Sequence, residues 1–288
     1  MIALIEIIID GVMVGALYAL FAAGLSLIFG VMRLVNLAHG DLIVVSAYLI
    51  LVVSERLGVS VFAALLVAAP LMFVAGYALQ IGLLNRVLGA DILPPLLVTF
   101  GLSIMLQNGA LALFSADSRR LPTNGLESAS IQLGPFAVGV LPILTLVAAV
   151  VVIFALNRLF YGAAIGRAFR AVSDDPTTAQ LMGISNARVF ALAMGLAVGV
   201  CAIAALFLGA RANFDPTIGP GRLIFAFEAV IIGGLGSLWG TLVGGVVLGI
   251  AQTIGAALNP EWQLLAGHLA FLAVLVARPR GIFPRTHD

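Results

Sequence analysis

The sequence predicts an all-α, polytopic integral membrane protein of about 8–9 transmembrane or broken helices, and three observations carry that prediction. Of 288 residues, 62% are hydrophobic and 9% charged, with a mean hydropathy of +1.19; a soluble domain of this size has no core large enough to hide so much apolar surface. Apolar runs of about 20 residues recur along almost the whole chain, each long enough to cross roughly 30 Å of hydrocarbon as a helix. The runs are continuous and rich in Leu, Val, Ala and Gly, whereas a membrane barrel shows short alternating segments. Residues 1–288 therefore read as one transmembrane domain.

In chain order, candidate spans fall near 5–29, 40–54, 60–84, 96–114, 138–157, 189–210 and 263–277. Glu6 and Asp10 stand where a signal peptide carries basic residues, so the first span is expected to remain. Residues 115–137 hold Pro122, Asn124-Gly125 and Gly134-Pro135, the turn signals of a connection too short to be a receptor domain. The region 223–257 is too long for one span and is interrupted by Gly233-Gly234-Leu235-Gly236-Ser237, which predicts two short or broken helices. Cys201 lies in an apolar run and reads as a small buried hydrophobe; a single cysteine excludes an internal disulfide and a cysteine-based metal site.

Charge orients these spans. All 14 basic residues are arginines. Placing 158–188 in the cytoplasm puts Arg33, Arg86, Arg158, Arg167, Arg170, Arg188, Arg278, Arg280 and Arg285 inside, and Arg56, Arg119, Arg120, Arg211 and Arg222 outside. The positive-inside rule then gives an outward N-terminus, a cytoplasmic C-terminus and an extracytoplasmic loop at 115–137.

The inner segment is polar between two oily spans. Asp175 suits an N-cap, Pro176 a first helical position and Gly183 a left-handed C-terminal residue, predicting a helix of about two turns. It offers Ala179, Leu181 and Met182 as apolar contacts beside Thr177, Thr178 and Gln180. The pattern fits both a docking element for a cytoplasmic partner and a capped surface turn. The chain has no lysine, so it lacks the GxxxxGK[ST] loop that holds nucleotide phosphates; ATP chemistry would have to come from another polypeptide.

Several blocks carry a family resemblance. Leu17-Tyr18-Ala19-Leu20 followed by residues 24–41 (GLSLIFGVMRLVNLAHGD), Gly166-Arg167-Ala168 with Arg170-Ala171, Leu181-Met182-Gly183-Ile184, Gly233–Ser237 and Arg278-Pro279-Arg280-Gly281-Ile282-Phe283 resemble the branched-chain amino acid ABC transporter permeases. The similarity is to their shorter, LivH-type subunit and covers essentially the whole chain. It implies a bacterial cytoplasmic-membrane importer with two permease subunits, the second a longer LivM-like chain in a heterodimer. Two cytoplasmic ATPases that carry ATP and Mg, and an external solute-binding protein, complete it. The resemblance implies no cofactor on this chain and no nucleic-acid partner, and its contact with lipid follows from the spans. Such permeases carry a cytoplasmic coupling helix marked by Glu-Ala-Ala and a following Gly. Residues 177–183 resemble it through Ala179 and Gly183, with Thr177 and Thr178 in place of the Glu and first Ala. On this basis Arg167, Arg170, Asp175, Pro176, Ala179, Leu181, Met182 and Gly183 are the expected ATPase-coupling residues.

Polar residues among apolar ones mark the candidate path. Asn36, His39 and Asp41 lie between the first two spans, near Gly30 and Gly40, where the chain reverses or a helix breaks; broken helices line solute paths in transporters, and helix capping is the plainer role. Glu228 in Ile224–Ile232 is costly in hydrocarbon and reads as functional, facing the path or pairing with Arg211 or Arg222. Gly236, Gly240 and Gly244 form a small-xxx-small row for close helix packing. Two rival activities use the same inventory. A proton-coupled secondary transporter would employ His39, Asp41 and Glu228 as a relay, and an intramembrane hydrolase would need Ser237 and His268 together.

Overall fold

The computed structural model of the chain describes residues 2–89, 91–134 and 136–283; Pro135 and Arg285 lie outside them. Eleven α-helices are described: α1 (Ile2–Met32), α2 (His39–Leu57), α3 (Val61–Gly82), α4 (Leu93–Phe114), α5 (Val140–Gly162), α6 (Ala164–Asp174), α7 (Pro176–Leu181), α8 (Asn186–Arg211), α9 (Gly219–Gly233), α10 (Leu238–Leu258) and α11 (Trp262–Ala277). Every predicted span has its helix, and the two pieces expected in 223–257 are α9 and α10. The connection between α4 and α5 adds an unforeseen antiparallel hairpin, β1 (Ser130–Leu133) with β2 (Phe136–Gly139), paired Ser130 to Gly139 and Ile131 to Val138. The amphipathic α6 also went unread.

Six helices are long and apolar enough to cross a membrane by length and composition: α1, α3 with the 3₁₀ turn Leu84–Arg86, α4, α5, α8 and α10. Of these α1 and α8 are the most buried, so they form the axis of the bundle. Around that axis α10 packs on α1, α3 on α8, and α2 bridges α8, α3 and α9. Helices α4 and α11 stand at the periphery, α4 packing chiefly on α2 and α11 on α10 and α9.

Helices are forced on these segments because hydrocarbon offers no partner for a free N–H or C=O. Their association has another cause, since lipid tails are as apolar as Leu and only close contact holds helix to helix. Along the α1–α10 seam the backbones touch: a β-carbon on Gly15 would strike the backbone of Gly245 and Val246, and one on Gly249 would strike Gly11 and Gly15. Gly240 and Gly244 do the same for α10 against α9, meeting the carbonyls of Gly233 and Ala229. Gly236 does not belong to that packing row as expected. It takes φ +79° in the turn between α9 and α10, a left-handed conformation that a β-carbon disfavours.

Two helices begin inside the bundle. α1 ends at Met32, Arg33 takes φ +52°, and residues 33–38 run back until the His39 imidazole meets the Phe21 carbonyl at 2.9 Å. Phe21 lies about three turns before the end of α1, so α2 starts well within the bundle. α9 starts beside it: a β-carbon on Gly40 would collide with the Gly219 carbonyl.

Candidate functional site

The first candidate site is the point where α2 and α9 begin. Asn36, His39 and Asp41 are all buried, each with its own partner. Asn36 Oδ1 accepts from the Ala38 N–H at 3.0 Å, closing the turn that leads into α2; the helix itself starts from Ala38 with no side-chain cap, so neither Asn36 nor Asp41 takes the capping role that the sequence allowed. His39 lies between the Phe21 carbonyl and the Cys201 sulfur, at 2.9 and 3.8 Å, and Cys201 is buried as expected. Asp41 Oδ2 accepts from the Ser103 hydroxyl of α4 at 2.5 Å, and Gln107 donates to the same hydroxyl at 3.0 Å. Asp41 Oδ1 has no hydrogen-bond partner among the described residues and lies against Gly219. The carboxylate thus sits in the first turn of α2 and beside the first residue of α9, where two helix N-termini direct partial positive charge at it. Ser103 and Gln107 were missed by sequence reasoning; the signal was a polar i, i+4 stripe, Thr99, Ser103 and Gln107, on an otherwise apolar span.

The second polar centre corrects an expectation. Glu228 is buried, and its partner is neither Arg211 nor Arg222: Glu228 Oε1 meets His268 Nδ1 of α11 at 2.5 Å. Arg211 instead donates to the Met13 carbonyl at 2.8 Å. Nearby, Tyr18 of α1 donates to Gln252 of α10 at 2.6 Å and stacks on Phe225. Ser237 caps α10 by accepting from the Gly240 N–H at 3.1 Å, so Ser237 and His268 each serve another partner and form no nucleophile–base pair. His39, Asp41 and Glu228 likewise hold three separate partners, with no hydrogen bond joining them among the described residues.

The third site is the segment after α5. Asp175 accepts from the N–H groups of Thr177 and Thr178 at 2.9 and 3.1 Å and from the Thr178 hydroxyl at 2.5 Å. These bonds, the hydroxyl's first, hold its carboxyl below the usual carboxylate range. Pro176 occupies the first turn of α7, which spans six residues and so makes the expected helix of about two turns. Gly183 follows at φ +83°. Leu181 and Met182 are 83% and 78% exposed, whereas Ala179 is buried; the expected contact face therefore loses Ala179, which packs into its own chain. Arg170 also turns inward, donating to the Phe160 carbonyl and stacking over Tyr161, while Arg167 is exposed.

This segment is tied to the bundle. Ser173 Oγ donates to the Gly30 carbonyl at 2.7 Å, Arg33 reaches the Ser173 carbonyl at 3.5 Å, and Asn186 of α8 donates to the Pro176 carbonyl at 2.8 Å. The polar segment thus grips the end of α1 just before the backtracking stretch that leads to Asp41.

A bundle of membrane-crossing helices, with two interrupted helices meeting at buried polar groups, is the architecture of a polytopic membrane permease. Comparison with known proteins gives the family: the chain belongs to the family described as "Branched-chain amino acid transport system / permease component", whose model matches residues 7–275. It is 28% identical to the high-affinity branched-chain amino acid transport system permease protein BraD of Pseudomonas aeruginosa, over 96% of this chain and 95% of that protein. It is 29% identical to LivH of Escherichia coli K12, over 96% and 94%. LivM of the same organism, also a permease protein, is 24% identical over 94% of this chain and 68% of its own length. No solved structure is significantly similar to the chain.

Proposed function

We propose that the chain is the LivH-type permease subunit of an ATP-driven importer for branched-chain amino acids or related small solutes. Its assembly is a heterodimer with a LivM-like permease, two cytoplasmic ATPases and an external solute-binding protein. ATP and Mg act on the ATPases, and this chain binds no cofactor. The N-terminus lies outside and the C-terminus inside, with 158–188 as the cytoplasmic coupling loop and 115–137 as an extracytoplasmic loop.

The observation that carries this reading is the tether from the capped loop to the buried carboxylate. Leu181 and Met182, presented by α7, fit into the ATPase, with Arg167 beside them and Asp175, Pro176 and Gly183 fixing the geometry. Ala179 and Arg170 anchor the loop to its own chain. A displacement of α7 pulls on Pro176 and Ser173, and so on the start of α8 and the end of α1. The stretch 33–38 then shifts Asn36, His39 and Asp41 against Ser103 and Gly219, opening or closing the solute's way past them. Glu228, held by His268, lines the same route from α9, while Gly240 and Gly244 keep α9 and α10 rigid beside it.

Reconstitution tests this. In liposomes with the second permease, two ATPases and the receptor, solute should enter only when ATP and Mg²⁺ reach the ATPase side, and loaded receptor should raise ATP turnover because coupling is reciprocal. Uptake by this chain alone under an imposed pH gradient would instead promote His39, Asp41 and Glu228 to a proton pathway.

A further inference from the structure

The outward faces of the helices are not alike. On α3 the exposed residues of the span include Leu66, Val67, Leu71 and Val74, and on α5 Leu144, Val147, Val151 and Phe154; both faces stay apolar until Arg158 near the inner end of α5. By contrast, α4 exposes Asn108 and leaves Gln107 half-buried, and the His268 side chain of α11 is 44% exposed. Asn108 and His268 each lie six residues from the Phe114 and Trp262 ends of their helices, so a rise of about 1.5 Å per residue puts both about 9 Å inside those ends. An amide and an imidazole at that depth do not face lipid tails without a heavy cost.

The two helices that carry them also project. α4 packs chiefly on α2, α11 on α10 and α9, and α2 on α9, so α4, α2, α9 and α11 join into one continuous face. Its α4 side holds an open groove of about 370 Å³ lined by Val45, Tyr48, Leu49, Val52, Met105 and Leu113 among others. Gly101 and Gly109 of α4 have open space where a β-carbon would stand. On α9, Gly221 has the same open space.

We propose that the second permease subunit docks on this surface, across α4, α2, α9 and α11, while α3 and α5 face lipid. The occupant follows from polar complementarity. Asn108, whose amide nitrogen donates to the Ile104 carbonyl at 2.8 Å, and His268, whose Nδ1 meets Glu228, still present an amide oxygen and an imidazole Nε2 at membrane depth, where another helical permease can pair with them and hydrocarbon cannot, and the groove between α2 and α4 takes apolar side chains. The placement puts Gln107 and Asn108 of α4 and His268 of α11 against the second subunit, one residue removed from the buried Asp41 and Glu228. It rests on the two-permease reading above.

The test is site-specific photo-crosslinking with benzoylphenylalanine, in membranes, with the transporter purified through a tag on this chain. Met105 and Leu269 probe the docking surface; Leu71 and Val151 probe the apolar faces. Expected is at least about tenfold more adduct to a second permease chain from Met105 and Leu269, as for helices in direct contact, with the adduct identified by mass spectrometry. Adducts from Leu71 or Val151 instead overturn the placement. So does a complex in which two permeases co-purify yet neither the Met105 nor the Leu269 probe reacts with the second. If one permease chain alone is recovered, the placement and the two-permease reading fall together.

Discussion

The α1–α10 seam and the loop bearing α7 are built on opposite principles. In the seam, Gly11, Gly15, Gly245 and Gly249 bring two backbones into contact, and close shape does most of the joining, with hydrogen bonds from Tyr18 to Gln252 and from Thr253 to the Ile7 carbonyl. In the loop almost nothing is buried beyond Ala179, Phe169 and Val172, and hydrogen bonds of Asp175, Ser173 and Asn186 fix the chain. The difference teaches where each can be altered. A seam that works by having no side chain fails when it gains one, whereas a loop that works by capping keeps its fold while its exposed residues change.

The largest effect expected from this contrast is Gly245→Leu. Overpacking a well-packed core costs about 1–3 kcal/mol, and here the obstacle is the backbone of Gly15 and Ala19, which cannot rotate away. Folded protein recovered from membranes, measured by size-exclusion profile, should drop severely; a normal profile would show that the seam tolerates separation. Next is Leu181→Asp with Met182→Asp. Insertion and yield should match the unaltered chain, because both side chains are exposed, while receptor-stimulated ATP turnover in the reconstituted complex should fall by about tenfold, in line with the loss of central apolar anchors at an interface. Unchanged turnover would remove α7 from the contact with the ATPase.

The smallest effect concerns pH. The Asp175 carboxyl is held low in the folded chain, so its cap is at full strength above the unfolded carboxylate range and is lost as pH falls through its lowered pKa. Hydrogen exchange at Thr177 and Thr178, corrected for intrinsic rates, should show protection fading over that acid window. Asp175→Ala should remove both the protection and its pH dependence; a pH dependence that survives the substitution belongs to another group.

The spans were legible because a run of about 20 apolar residues has few alternatives in a membrane, and the cap of α7 because Asp-Pro is a local signal. The seam was equally available: Gly11-xxx-Gly15 and Gly245-xxx-Gly249 are the small-residue spacing of close helix pairs, but attention to Gly236, Gly240 and Gly244 passed over them. What sequence could not supply was partnership across distance. For Glu228 the sequence offered the path or a pairing with Arg211 or Arg222, since charge suggests charge, yet His268 on the next-but-one helix is its partner. Ala179 and Arg170 looked available for a partner because composition does not tell which side of a short helix turns inward. The hairpin went unseen because its four-residue strands alternate too briefly to register.

The meeting of the α2 and α9 starts inside the bundle bears on how the chain is made. The place where α2 begins is completed by Gly219, which leaves the ribosome only after most of the chain has entered the membrane. Until then His39 and Asp41 have no finished enclosure, and α2, with Asp41 in its first turn and Glu55 and Arg56 in its last, is a poor span by itself. The nascent permease must therefore carry an unsettled second helix through much of its synthesis. A translation product ending before α9 would keep that carboxylate without the Gly219 side of its enclosure.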